Sequence, residues 1–373
     1  MRVVSASLLL FAAGVLPAAC EGPPDDGGPI STESAELRAH PPRVVDVVTQ
    51  VNLVSDQPGK AKMTDPNLVN AWGLAFNPAG GPFWVSSAEK GLSQVYDDDG
   101  KLLLSVAIPP APGADPETNP TGQVFNGKAW AFGGDVFIFV TENGTIAGWQ
   151  KDFGTTAHLR VNNSRREANY KGVAIVQVKG RPRLLAADFH NARIDVYDDD
   201  YRPVHHHGRF VDPTLPPGYA PFNIVVKGAL VFVTYAKQGP GAEDDEKGPG
   251  RGFVNVFDAD GDARMRLISR GVLNSPWGMA FTKPADDFSV RMLVGNFGDG
   301  RINVFRVAFD DDFRLSAKLL GTVGDAPGHP LVIDGLWALA FEEEDELYFT
   351  AGPEDETHGL FGKLVFPEPT PEE

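Results

Sequence analysis

Ala71-Trp72-Gly73-Leu74-Ala75-Phe76 returns five more times in altered form. The variants are Pro120-Thr121-Gly122-Gln123-Val124-Phe125, Tyr170-Lys171-Gly172-Val173-Ala174-Ile175, Pro221-Phe222-Asn223-Ile224-Val225-Val226, Pro276-Trp277-Gly278-Met279-Ala280-Phe281 and Leu336-Trp337-Ala338-Leu339-Ala340-Phe341. Their third positions fall at 73, 122, 172, 223, 278 and 338, giving steps of 49, 50, 51, 55 and 60 residues. A repeat of that length, built of strands, marks a β-propeller.

Each segment is followed by a hairpin pattern. Phe83–Ser87 pairs with Leu92–Asp97, Leu184–Asp188 with Arg193–Asp198, and Met292–Asn296 with Arg301–Phe305. The later strand of each pair alternates apolar and polar residues, as a half-buried strand does. The repeat segments themselves are small and apolar throughout, which suits an innermost strand covered on both faces. With strands lettered A to D from the axis outward, the last repeat stops after C, at Gly359–Phe366. Val45–Leu53 alternates with period two and is the spare strand D for that blade. Such closure removes an exposed sheet edge. The reading is an all-β protein with a six-bladed β-propeller at residues 44–366, closed by an N-terminal strand that completes the last blade.

Composition agrees. With 41 Gly and 31 Pro the chain is poorly suited to helical bundles or coiled coils. A single Cys excludes a disulfide framework and a Cys-based zinc or iron–sulfur site. The formal charge of −17 argues against nucleic acid as a partner.

The ends read differently from the middle. Arg2 and the apolar run Ser7–Leu16 form an export signal too short to span a bilayer. Leu16-Pro17-Ala18-Ala19-Cys20 has the form of a lipobox. The expectation is therefore a signal peptide at 1–19, lipidated Cys20 as mature N-terminus, a flexible tether at 20–43 and a disordered tail at 367–373. The protein is expected in the cell envelope, touching a membrane only through its lipid, or else free in the periplasm or medium. A monomer is expected.

The repeats resemble NHL-type and SMP-30-type six-bladed propellers, most clearly at Ala187–Tyr197 and Gly295–Phe305. More closely, the chain looks like a family of exported bacterial propellers of unknown function. The cues are Asn52–Asp56, Asp65–Gly73, Leu215–Ile224, Asn274–Ala280 and Gly335–Leu339. That resemblance implies the fold over about residues 44–366 and carries no activity with it.

In a propeller the D–A and B–C connections share one rim. Here the D–A loops 54–70, 109–120, 211–221 and 323–335 are long, so this rim is where binding residues are expected. Asp65, Asn67, Asn70, Asp188 and Asn296 are the ligand-binding candidates on it. The SMP-30 resemblance implies Asn and Asp near the axis around calcium, and Asn223, Asn274 and Asp334 are the candidate ligands. His190, His329 and His358 are the candidate catalytic bases for that chemistry. Asn and Asp at strand starts also cap backbone, which is the competing reading for each. Trp72, Trp277 and Trp337 read as packing between blades rather than as a sugar-stacking platform. The acidic insertion Lys237–Gly252 reads as a solvated, mobile loop rather than a lid. His205-His206-His207 reads as surface. Two functions fit: a binding module for a protein, glycan or small molecule, and a calcium-dependent SMP-30-like hydrolase, lactonase or lyase.

Overall fold

The computed structural model describes residues 43–113, 117–204, 210–262, 264–310, 314–343 and 345–367. Cys20, the signal, all but the last residue of the tether, the three adjacent histidines and all but the first residue of the tail lie outside them. Among the described residues there is no α-helix, and six sheets follow one another along the chain. Each blade opens with one of the repeats as strand A: Ala71–Ala75, Pro120–Phe125, Tyr170–Val178, Tyr219–Lys227, Pro276–Phe281 and Leu336–Phe341. Each strand A pairs antiparallel with the strand after it, as the hairpin patterns require.

All six A strands carry a bulge at the same place. The register slips between Ala71 and Leu74, Pro120 and Gln123, Tyr170 and Gly172, Pro221 and Asn223, Pro276 and Met279, and Leu336 and Leu339. The second residue of every repeat is thereby left out of the ladder and re-aimed. The next residue sits where blades nearly touch. A Cβ on Gly73 would lie 2.3 Å from Thr121 O, one on Gly172 2.4 Å from Asn223 Oδ1, and one on Gly278 2.5 Å from Trp337 O. Glycine is the residue that allows this approach.

Carbonyls freed by the bulges are taken up by the neighbouring blade. Gln123 Nε2 donates to Gly73 O at 2.8 Å, Thr121 Oγ1 to Tyr170 O at 2.6 Å, and Asn223 Nδ2 to Trp277 O at 2.9 Å. Thr350 Oγ1 donates to Trp72 O. Buried backbone groups need such partners, and these link the blades around the axis.

Closure differs in one respect from the sequence expectation. Two strands arise where one was expected: β1 (Val44–Val47) and β2 (Thr49–Ser55). β2 completes blade six, running antiparallel to Leu360–Val365 from Thr49 opposite Val365 to Ser55 opposite Leu360. β1 instead lies parallel to strand D of blade five, Leu315–Gly324, with Val44 opposite Thr322. The reason is glycine in that edge. A Cβ on Gly321 would meet Arg43 O at 2.1 Å and one on Gly324 would meet Val44 Cγ1 at 2.4 Å, so the bare backbone admits β1. A short β3 (Met63–Thr64) then adds parallel to β2. The N-terminal segment thus ties blade five to blade six. The acidic C–D turns Asp97–Gly100 and Asp198–Asp200 are backbone devices: Asp97 Oδ1 accepts from Lys101 N at 2.8 Å and Asp198 Oδ1 from Arg202 N at 2.9 Å.

Gly73→Ala is expected to destabilise by about 2–4 kcal/mol, because backbone cannot yield to the added methyl. Gly127→Ala, where the nearest atom is the Phe125 ring at 3.5 Å, is expected to stay within about 0.5 kcal/mol. Urea denaturation of both variants checks the pair.

Candidate functional site

The six bulged side chains are Trp72, Thr121, Lys171, Phe222, Trp277 and Trp337. Trp72, Phe222, Trp277 and Trp337 join Phe189 and Phe297 in one buried cluster drawn from five blades, which only an axial position permits. Trp337 is stacked on Trp72 at 3.7 Å and on Phe297 at 3.8 Å. Two rings that close must occupy opposite faces of the indole, so Phe297, Trp337 and Trp72 form a column. An ammonium stands at each end of it: Lys171 Nζ lies 5.2 Å from the Trp72 ring centre, and Lys247 Nζ 4.2 Å from that of Phe297. The tryptophans are therefore not an exposed platform; they pack between blades, as expected, and do so at the axis. They plug the axis.

Carboxylates ring this plug. Lys171, 1 % exposed, is ion-paired with Glu142 and lies 3.5 Å from Asp244 Oδ1. Burial works against its charge, but Glu142 and Asp244 outweigh burial and hold its pKa above the ordinary lysine value. Glu356 Oε2 accepts from Asn70 Nδ2 at 2.7 Å, and Asn70 Oδ1 accepts from Trp337 Nε1 at 3.0 Å. Burial, followed by the nearby Glu142, pushes the Glu356 carboxyl up to about 7. Burial also raises Glu89, which shares Asn70, and Asp245. Glu356 is delivered by a left-handed turn: Glu354, Asp355 and Glu356 have φ of 55°, 51° and 68°. Three such non-glycine residues in a row are costly, and Asp334 braces them by accepting from Glu354 N at 2.8 Å.

The insertion of blade four lies across this mouth, so the solvated-loop expectation is corrected. Gly248 N donates to Asn274 Oδ1 of blade five at 2.6 Å, Asp244 reaches Lys171 of blade three, and Lys247 reaches Phe297 and comes within 4.0 Å of Asp355 of blade six. Its own turns are bonded too, with Gly239 N to Asp244 O at 2.8 Å and Glu246 N to Lys237 O at 2.7 Å. Partners on three other blades turn the acidic stretch into a strap.

Of the residues singled out from sequence, Asn70 and Asn274 stand at this mouth, and Asp334 stands behind it. Asp188 and Asn296, both fully buried, clip the incoming D–A loops by accepting from Asn169 N at 3.2 Å and Asn274 N at 3.1 Å. Asp65 anchors its loop to strand C of blade one through Gln94 and Tyr96, each at 2.7 Å, and accepts from Asn67 N at 2.9 Å. Asn67 itself is exposed. Asn223 bonds Trp277 O and Ile224 N. Asn223, Asn274 and Asp334 each hold backbone partners, Asn274 Oδ1 accepting from Gly248 N and Asp334 from Glu354 N. Among the described residues no group of three or more His, Cys, Asp or Glu is placed to hold a metal ion. His190 lies 3.9 Å from Glu167, and His329, largely exposed, 3.8 Å from Asp325. His358 Nδ1 is 2.7 Å from Asp56 Oδ2. A cleft of about 660 Å³ on the other rim, lined by Asp97, Asp98, Glu342, Glu343 and Glu346 among others, contains none of these residues.

Sequence reasoning missed Lys171, Glu142, Glu356 and the strap residues Asp244 and Lys247. A signal existed for Lys171: it is the only charged residue at the second position of the six repeats. The others sit in turns whose sequences carry no repeat.

The raised Glu356 carboxyl sets a pH dependence. Its unfolded value is near 4.5 and its folded value about 7, so the native state holds more proton than the unfolded state in between. Stability is therefore greatest below the lower value and falls as pH rises through the upper one. Glu356→Gln keeps an acceptor for Asn70 and removes the charge. It is expected to match the wild type at acid pH and to be more stable by about 1–3 kcal/mol in mildly alkaline buffer, read by urea denaturation across that range.

No family model matches the chain. Among solved structures, a streptogramin B lyase superposes with a TM-score of 0.50 at 10% identity, covering 86% of this chain and 97% of that one. A protein of unknown function from Bacteroides thetaiotaomicron gives 0.52 at 10% identity, over 87% and 76%. These likenesses speak for the fold alone. Two relatives lie nearer in sequence, both from Acanthamoeba polyphaga mimivirus. Uncharacterized protein R648 is 31% identical over 343 residues, 87% of this chain and 82% of its own length. Uncharacterized protein L690 is 32% identical over 347 residues, 87% of each. These relatives are viral, so they lend no support to the expected bacterial origin of the family. The chain, a six-bladed β-propeller, belongs to the family of these two mimivirus proteins.

Proposed function

We propose that this protein is a ligand-binding propeller whose working surface is the axial mouth on the rim of D–A and B–C connections. The observation that supports this most is Lys171. A buried ammonium in a plug of aromatic rings, with Glu142 and Asp244 against it, is expensive to maintain for packing alone. The strained turn that delivers Glu356 to the same place supports it as well. Export and attachment through Cys20 belong to the same proposal and rest on the pattern of residues 1–20 alone. Cys20→Ala should then release the protein from the membrane fraction of an expressing cell.

A thermal-shift panel of small cations, anions and neutral polyols tests the mouth. A true ligand at a hundredfold excess over its Kd stabilises by about 2.7 kcal/mol, and this gain should vanish in Lys171→Met. A panel in which every stabilising compound acts equally on wild type and Lys171→Met overturns the reading.

The second reading is a hydrolase, lactonase or lyase. Glu356 favours it, since a carboxyl titrating at about 7 takes and returns a proton readily. Calcium remains part of that reading as an oxygen-ligated activator of water or carbonyl. Lactone hydrolysis that requires added calcium and drops at least about a hundredfold in Glu356→Gln would establish it. Turnover unchanged by chelator and by that substitution would remove it.

A further inference from the structure

We propose that the outer face of Phe297 is a recognition site for the ammonium group of a small organic amine, and that Lys247 of the strap occupies it in the free protein. This rests on the reading of the mouth as a binding surface and names the chemistry it takes.

Phe297 ends the aromatic column. Its inner face is stacked on Trp337, and its outer face carries Lys247 Nζ at 4.2 Å. The ring is 4% exposed, so that lysine and the strap are what cover it. Lys247 itself remains 44% exposed and has Asp355 only at 4.0 Å. Its side chain can therefore leave into water, whereas the ring beneath cannot.

The charges around the face favour a cation. Asp355 of blade six lies 4.0 Å from Lys247 Nζ, and Asp245 of the strap acts on the same ammonium. Lys171 is already paired with Glu142, and its ammonium is fixed at the far end of the column. A ring face flanked by carboxylates is the arrangement that selects an ammonium over its neutral or anionic counterparts. A lysine on a strap laid over this face is a resident stand-in for an ammonium guest. The guest displaces the Lys247 side chain and takes its place between Phe297 and Asp355.

The test uses three compounds of matched shape: n-butylamine, n-butanol and butyrate. Each is titrated by calorimetry into the wild type, Lys247→Ala, and Lys247→Ala with Phe297→Leu. The amine is expected to bind Lys247→Ala at least about tenfold more tightly than wild type, since no resident cation competes. It is expected to bind that variant at least about tenfold more tightly than the alcohol or the acid. Phe297→Leu keeps an apolar contact without a π face and is expected to remove the preference for the amine. Thermal unfolding of the variants confirms that they fold.

Equal binding of amine and alcohol by Lys247→Ala overturns the assignment, and so does an amine preference that survives Phe297→Leu. If the alcohol or the acid binds in a way that Lys171→Met abolishes, while the amine does not bind, the mouth stands as a binding surface and the ammonium assignment falls. If none of the three binds and no compound of the wider panel depends on Lys171, both fall together.

Discussion

The bulge shared by the six A strands is the constraint on which the rest depends. Each bulge turns the second repeat residue toward the axis and frees a stretch of backbone beside it. Glycine at 73, 122, 172 and 278 then lets the next blade come into contact. The polar groups left over are answered by Gln123, Thr121, Asn223 and Thr350 from adjacent blades. Closure of the ring and formation of the axial plug are therefore one event. A chain that made regular A strands would aim Trp72 and Trp337 into a sheet face and leave the axis open.

That geometry also explains why the mouth has its composition. Strands converging on an axis leave little room, so flat rings stack there and larger polar groups cannot be solvated. Lys171 survives at the centre because Glu142 and Asp244 reach it from two other blades. The strap brings Asp244 and Lys247 together, one to each end of the column. Opening the strap would withdraw a carboxylate from Lys171 and an ammonium from Phe297 in the same motion.

The fold was legible because it repeats. Spacing of the A-strand segments, the hairpin patterns and the missing last strand led to six blades and to closure by the N-terminal segment. The division of that segment between blades five and six was not legible, because it depends on Gly321 and Gly324 in a distant edge strand. The site was legible in part. Asn70 and Asn274 were visible as polar residues on the loop-rich rim, but so were Asp188, Asn296 and Asp65, whose work is to hold loops. Sequence position does not separate a side chain that faces the mouth from one that faces backbone. Glu356 and Lys247 were hidden for another reason: each reaches the mouth from an irregular B–C connection, where no period points the way.

The most direct measurement is amide hydrogen exchange across Lys237–Gly252 in the ligand-free protein. The account requires a strap bonded over the mouth, with Gly248 N held by Asn274. It predicts that Gly248 exchanges at least about a hundredfold more slowly than a free peptide, and that Asn274→Ala removes this protection while the A strands keep theirs. Exchange of the whole segment at the free-peptide rate would mean a solvated loop, an uncovered mouth and no resident occupant on Phe297.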